Sequence, residues 1–193
     1  MSKKEQILCA AQCLMLEKGF VATTVDDICQ AAGVTKGSFF HYFKDKEAMG
    51  REALTDFAQC TNDALCCALP ENETDPLKRV YNVVDAAIKL TRKKEINGCL
   101  VGMFSQELSQ THPAIRKICE RLFDAQIASL EKDLSAAKTK YAPKAKFKPK
   151  ELSEYFLATV QGSMLVSKAK KDNSVMERSL KQYRNYLKTL YGK

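Results

Sequence analysis

Apolar positions along the chain recur at the three- and four-residue steps of α-helices, and no segment shows the sustained alternation of a strand. Glycine and proline are sparse and stand where this pattern breaks, which divides the chain into about nine helices. Helices are predicted at about 76–93, 98–110, 113–140 and 151–171, with a last one after Asp172 and Asn173. The predicted fold class is therefore all-α.

Two short helices near the N-terminus are predicted to meet at a tight turn. Thr24, with Asp27 three residues later, has the pattern of a helix start, and Gly33 ends that helix. Thr35 can cap the next helix, which runs to about Phe43. Two helices joined by a tight glycine-containing turn are typical of a helix-turn-helix, which places its second helix in the major groove of DNA.

The second of these helices carries aromatic rings at positions 39, 40, 42 and 43. Phe39 and Phe43 are four residues apart, so they share one face and are predicted to pack inward. The outward set then combines polar groups with flat rings, a mixture that suits bases, sugars and phosphates: Lys36, Ser38, Phe40, His41 and Tyr42. From chemistry alone, an ordinary helical hairpin whose exposed rings pack on the following domain remains an alternative.

Phosphate contacts are also predicted on both sides of this helix. Thr24 and the helix N-terminus behind it can bind a phosphate across the groove, and Lys46 can donate to phosphate oxygens.

The net charge of +8 does not by itself indicate DNA binding, because the excess lies far from this helix pair. Residues 1–50 have a net charge of zero, residues 51–133 of −2 and residues 134–193 of +10. Part of the excess falls in the lysine-rich stretch 144–150, which a solvated linker explains equally well.

Composition excludes several other classes of protein. No apolar run approaches the roughly 20 residues of a membrane span and no signal peptide is recognised, so a cytoplasmic protein without membrane association is expected. The eight cysteines form no C-x-x-C pair and the two histidines are isolated, so we predict reduced thiols and no metal site. We find neither a phosphate-binding glycine loop nor a nucleophile–base arrangement, and we predict no cofactor, no catalytic residue and no enzyme.

The run TTVDDICQAAGVTKGSFFHYFKDKEAM, at 23–49, resembles the DNA-binding domain of the TetR family of bacterial repressors. This resemblance implies a DNA-binding domain at 1–48 and a ligand-binding and dimerisation domain at 49–193. It also implies a homodimeric repressor that binds a palindromic double-stranded DNA operator and is released by a small-molecule inducer. The DNA contacts that it implies are Thr24, Thr35, Lys36, Gly37, Ser38, Phe40, His41, Tyr42 and Lys46.

Phe40 departs from the family pattern, in which tyrosine usually stands at this position. Without the hydroxyl the side chain cannot donate a hydrogen bond to a phosphate, so an apolar contact is expected instead. An all-helical interaction protein whose helix-turn-helix no longer reads DNA remains an alternative.

The last two helices carry stripes that suit a helix–helix interface. The stripes consist of Phe156, Thr159, Ser163 and Val166 in one helix and Met176, Leu180, Tyr183 and Leu187 in the other. Each stripe can instead cover its own subunit, but the family resemblance favours a four-helix dimer interface.

A ligand cavity lined by apolar groups and a few polar ones is predicted among the middle helices, although such a stripe is also typical of a core. The candidate lining residues are Tyr81, Val84, Ile88, Met103, Phe104, Leu122, Phe123 and Gln161. The run NGCLVGMFSQELSQTHP, at 97–113, resembles a segment of a family branch in which some members sense electrophiles through a cysteine. Cys99 matches that cysteine, and the alternatives of a redox sensor and a packed thiol both stay open.

Overall fold

The computed structural model describes residues 1–91 and 98–192, and these residues form helices and no strands. The helices are α1 (Lys3–Lys18), α2 (Val25–Ala32), α3 (Lys36–Tyr42), α4 (Lys46–Cys67), α5 (Pro76–Thr91), α6 (Leu100–Leu108), α7 (Pro113–Tyr141), α8 (Pro149–Lys170) and α9 (Ser174–Tyr191). The predicted all-α class is confirmed. The predicted end of α5 at about residue 93 lies outside the described residues.

Local sequence signals account for most helix ends. The Ser2 hydroxyl accepts the Glu5 backbone N–H while Glu5 accepts the Ser2 N–H, which closes the capping box at the start of α1. Gly33 ends α2 in the left-handed conformation, with φ of 64°. The eighth helix begins at Pro149, two residues earlier than predicted, because proline is favourable in the first helical turn.

The chain divides into two compact units, which are described separately. Residues 1–62 and 97–122 form the first, which contains α1–α3, most of α4, α6 and the start of α7. Its buried core includes Ile7, Met15, Ile28, Phe39, Phe43, Met49, Leu54 and Phe104. The predicted boundary after residue 48 separates a DNA-binding domain from a ligand-binding domain, not two compact units, and it stays a prediction.

Residues 63–96 and 123–193 form the second unit. Its core joins side chains of α5, α8 and α9 with Leu130 and Leu134 of α7. Two buried tyrosines extend this core by donating to backbone carbonyls, Tyr183 to Leu152 at 3.0 Å and Tyr191 to Leu134 at 3.2 Å. Among the described helices, none has the combination of length and apolar character that a membrane crossing requires.

The structure corrects the predicted dimer interface on α9. The four residues of that stripe are at most 8% exposed within their own chain and belong to the core of the second unit: Met176, Leu180, Tyr183 and Leu187. Ser163 of α8 is also buried. The spacing correctly identified a packed face, and that face covers α5 and α8 of the same subunit, which leaves little of it exposed to a partner.

Candidate nucleic-acid interface

The α2–α3 pair is closed by backbone and capping hydrogen bonds. The Val34 N–H donates to the Cys29 carbonyl at 3.0 Å, which turns the chain after α2. The Thr35 hydroxyl oxygen then accepts the Ser38 N–H at 3.2 Å and caps α3. Thr24 caps α2 in the same way, by accepting the Asp27 N–H at 3.1 Å. Each threonine uses an oxygen lone pair in its cap, so its O–H remains a possible donor.

The rings of α3 separate into two groups, as their spacing predicts. Phe39 and Phe43 are 0% and 2% exposed, and their ring centroids lie 5.5 Å apart in the core of the first unit. Phe40 and Tyr42 are 54% and 38% exposed. The predicted inward packing of Phe39 and Phe43 is confirmed, and the outer surface of α3 carries the exposed rings of Phe40 and Tyr42 together with the exposed His41.

Lys36 lies on this outer surface beside an acidic residue that the sequence reasoning missed. Its ammonium is 2.7 Å from the carboxylate of Asp26 on α2, and both side chains are more than 60% exposed. The hydrogen bond to Asp26 raises the pKa of Lys36, so the ammonium remains charged. Such an exposed pair is weakly held, so Lys36 can exchange Asp26 for another anionic partner.

Gly37 occupies the first turn of α3 although nothing inside the chain requires a glycine there. A Cβ at this position would come no closer than 3.8 Å to another group, the Thr35 hydroxyl oxygen, and the backbone is not left-handed. Glycine in a helix costs stability relative to alanine. Its presence on an exposed turn is therefore not explained by packing within the chain.

The structure reassigns Lys46, which was predicted to contact phosphate. Its ammonium donates to the carbonyls of Phe20 at 3.0 Å, Thr23 at 2.9 Å and Val21 at 3.4 Å, and lies 4.4 Å from the centre of the Phe20 ring. Burial lowers the pKa of Lys46. Because an ammonium has three N–H groups, these contacts leave none for a phosphate.

The predicted ligand-binding residues are distributed over both compact units. Met103, Phe104 and Leu122 belong to the first unit, where Phe104 is buried with its ring 5.2 Å from that of Phe20. The remaining members belong to the second unit: Tyr81, Val84, Ile88, Phe123 and Gln161.

A polar groove of about 560 Å³ lies between α5 and α9 of the second unit, and Ile88 is the one predicted ligand-binding residue in its lining. The Arg184 guanidinium donates to both carboxylate oxygens of Asp85, at 2.8 and 3.2 Å, and lies 4.9 Å from the centre of the Tyr81 ring. The groove therefore contains a two-bond ion pair, with Lys89 and Lys181 also at its walls.

Cys99 is half-buried at the N-cap of α6, where its side chain makes no capping hydrogen bond. In the described part of the chain, no three His, Cys, Asp or Glu side chains are grouped so that they could hold a metal ion.

Comparisons with known proteins identify both parts of the chain. Residues 7–53 match the family model of bacterial regulatory proteins, tetR family, and residues 64–182 match that of the transcriptional regulator LmrA/YxaF-like C-terminal domain. The HTH-type transcriptional repressor DhaR of Mycobacterium sp. (strain GP1) is 28% identical, over 86% of this chain and 83% of that protein.

Solved structures share the fold. The regulatory protein TetR from Rhodobacter sphaeroides superposes with a TM-score of 0.82 at 23% identity, covering 93% of this chain and 95% of that one. The reduced form of NemR from E. coli superposes with a TM-score of 0.79 at 23% identity, covering 95% and 96%. This likeness extends over the whole helical architecture.

Proposed function

Because the chain belongs to the TetR family of DNA-binding transcriptional regulators, we propose that it is a repressor that binds a palindromic operator as a homodimer. A small-molecule inducer binds the C-terminal part and releases the operator, and the protein acts in the bacterial cytoplasm. The observation that supports DNA reading most directly is the outer surface of α3, with its exposed rings around a glycine that the fold does not need.

The proposed DNA contacts divide by chemistry. The Thr24 and Thr35 hydroxyls, His41 and Tyr42 donate to phosphates, and the backbone at Gly37 allows close approach. Lys36 and Ser38 reach base edges or phosphates, and Phe40 lies against a thymine methyl or a sugar. Lys46 is excluded from this set and acts within the protein, since its ammonium is bound to three carbonyls.

Selection of bound sequences from random duplexes tests this function. The purified protein is incubated with the duplex pool at moderate salt, and bound DNA is sequenced over successive rounds. Enrichment of a palindrome is expected, because a symmetric dimer presents two identical α3 helices. Failure to enrich any palindrome would contradict the proposal and favour an interaction protein that no longer reads DNA.

Replacing Asp26 with asparagine is expected to tighten DNA binding by roughly twofold to fivefold in Kd. The change removes a negative charge from the proposed DNA surface and releases the Lys36 ammonium, which lies 2.7 Å away. Fluorescence anisotropy with the selected duplex measures the effect. In a Lys36→Ala background the part of the gain that depends on Lys36 should vanish, and an equal gain in both backgrounds would argue against its release.

The proposed homodimer uses the exposed apolar face of α8 and α9 in place of the buried α9 stripe. Tyr155, Leu165 and Val166 of α8 are 50%, 55% and 41% exposed, and Tyr186 of α9 is 44% exposed. Gly162 lies on the same helix face as Tyr155 and Val166, and a Cβ there would meet nothing within 4 Å. Close approach of a partner helix would account for a glycine in the middle of this helix.

The inducer site remains the set predicted from sequence, together with the groove at Ile88. Of the three cationic side chains of that groove, Arg184 is paired with Asp85 and Lys181 with Glu177. Lys89 therefore supplies the excess positive charge, which favours a ligand with an anionic group.

Redox or electrophile sensing through Cys99 is a second candidate function. Its half-buried position at the start of α6 supports access by a small reagent, and a structural relative is described in its reduced form.

Replacing Cys99 with serine is expected to abolish the release of DNA by electrophiles or oxidants while leaving the affinity of the untreated protein unchanged. The thiolate is the reacting group, and a hydroxyl does not replace it under these conditions. Release is followed by anisotropy after addition of a reagent such as diamide or N-ethylmaleimide. Cys9→Ser, which removes an exposed thiol of α1, is the matched control. Unchanged release from Cys99→Ser by every reagent would exclude this candidate.

A further inference from the structure

The connection between α1 and α2 is held by a carboxylate from a distant part of the chain. Glu107, in the last turn of α6, accepts the Phe20 backbone N–H at 2.8 Å with one oxygen and the Val21 N–H at 2.7 Å with the other. Hydrogen bonds to an ionised acceptor are roughly twice as strong as those between neutral groups. Two consecutive amides therefore bind a single charged group that lies 86 residues away in sequence.

Gly19 makes room for this carboxylate. A Cβ at Gly19 would lie 3.1 and 3.2 Å from the two Glu107 oxygens, which is closer than an ordinary contact. The backbone there has φ of 88°, a conformation that side chains other than glycine rarely adopt. Gly19 therefore ends α1 and also admits Glu107.

The same connection is held from its other side by α4. The Lys46 ammonium binds three carbonyls of residues 20–23, and the Phe20 ring packs against Phe104 of α6. Gly50 of α4 leaves space for that ring, because a Cβ there would lie 2.8 Å from it. The backbone N–H groups of residues 20 and 21 thus bind the Glu107 carboxylate, and carbonyls of residues 20–23 bind the Lys46 ammonium. We call residues 20–23 the clamped segment.

The clamped segment leads directly into the proposed DNA surface. Thr23 is fully buried and its hydroxyl donates to the Gly19 carbonyl at 2.6 Å. The next residue, Thr24, is the N-cap of α2 and a proposed phosphate contact. Only Ala22 and Thr23 separate Val21 from Thr24. A shift of residues 20 and 21 therefore moves Thr24 and the start of α2.

We propose that Glu107 is a positioning residue for operator binding, which holds Phe20 and Val21 so that Thr24 and α2 meet the DNA backbone. This inference rests on the proposed DNA-binding function. It assigns to a residue of α6, outside the helix-turn-helix, a share of operator affinity without any contact between that residue and DNA.

Simple electrostatics predicts the opposite sign for the same residue. Removing a negative charge from a DNA-binding protein should by itself tighten binding, because it lowers repulsion from the phosphates. If Glu107 holds the segment in place, its removal weakens binding instead. The direction of the change therefore separates the two roles.

The test compares Glu107→Ala, Glu107→Gln and Glu120→Gln by fluorescence anisotropy on the duplex selected with the wild-type protein. Glu107→Ala should raise Kd by about tenfold, about 1.4 kcal/mol. Glu107→Gln keeps one carbonyl acceptor and should lose less. The salt slope should stay at the wild-type value, because no cationic contact to phosphate is removed. Faster hydrogen exchange at the Phe20 and Val21 amides should accompany the loss.

Glu120→Gln is the matched control, since it removes the same charge from an exposed pair with Arg116 on α7. Its affinity should equal or slightly exceed that of the wild type. All affinities are measured well below the unfolding temperature of each variant, and Glu107→Gln, which keeps the side-chain size, serves if Glu107→Ala does not fold. Equal or tighter binding by the Glu107 variants, with the wild type binding normally, would overturn the inference. A wild type that selects no duplex would instead refute the proposed function.

Discussion

Replacing Phe39 with alanine is expected to lower the free energy of unfolding by about 3–5 kcal/mol. The Phe39 ring is fully buried and packs on Phe43 in the small core that joins α3 to the rest of its unit. The loss combines the transfer of the ring to water with the cavity that remains. Because whole domains are stable by only about 5–15 kcal/mol, a large part of that stability would disappear. Urea unfolding followed by circular dichroism measures the change.

Phe40→Ala is the matched control for this prediction, because it removes an identical ring from the next position. Phe40 is 54% exposed and its ring makes a T-shaped contact with the Phe39 ring at 5.3 Å between centroids, so its replacement should lower the free energy of unfolding by only about 1 kcal/mol. Its main effect should be on DNA binding. The binding free energy for the selected duplex should weaken by about 1 kcal/mol or more if the ring contacts a thymine methyl or a sugar. Similar destabilisation by both variants would contradict the division of the rings into two groups.

Replacing Val166 with glutamate is expected to dissociate the homodimer and to weaken operator binding by about 100-fold or more. Val166 is 41% exposed beside Gly162 and on the face of Tyr155, so a charge there would be buried without a partner in the proposed interface. A monomer binds only one half-site of the palindrome. It lacks the second DNA-binding domain, which in a dimer binds the other half-site at a high effective concentration. Sedimentation velocity and anisotropy with the palindrome measure the two effects.

Two control variants separate this result from general damage. Ala136→Glu adds the same charge at an exposed position of α7 and should leave the sedimentation coefficient unchanged. Leu180→Ala, in the stripe that the sequence assigned to the interface, should instead cost about 2–5 kcal/mol of chain stability, because Leu180 is fully buried in its own core. A Val166→Glu protein that stays dimeric would place the interface elsewhere.

The helix-turn-helix was largely predictable because its signals are local. Capping residues such as Thr24 and Thr35 act within three positions, and the four-residue step between Phe39 and Phe43 places both on one face. These interactions depend on the helical period alone. They determined the helices, the turn at Gly33 and the inner and outer faces of α3.

For α9 the sequence predicted a packed face but not the helix that covers it. The steps from Met176 to Leu187 show that one face is packed, yet they carry no information on whether the covering helix belongs to the same subunit or to another. The structure places that face against α5 and α8. The exposed apolar face is then found on the neighbouring stripe around Gly162.

The sequence by itself determined the all-helical fold, the helix-turn-helix and the face that each ring of α3 occupies, because all of these follow from contacts within a few residues. Only the tertiary structure decided what the charged groups do. Lys46 and Glu107 look like exposed side chains in sequence, but both bind the backbone between α1 and α2. Asp26 forms an ion pair with Lys36. Partners more than 20 or 80 residues apart are chosen by how the helices pack, and no local period records that choice.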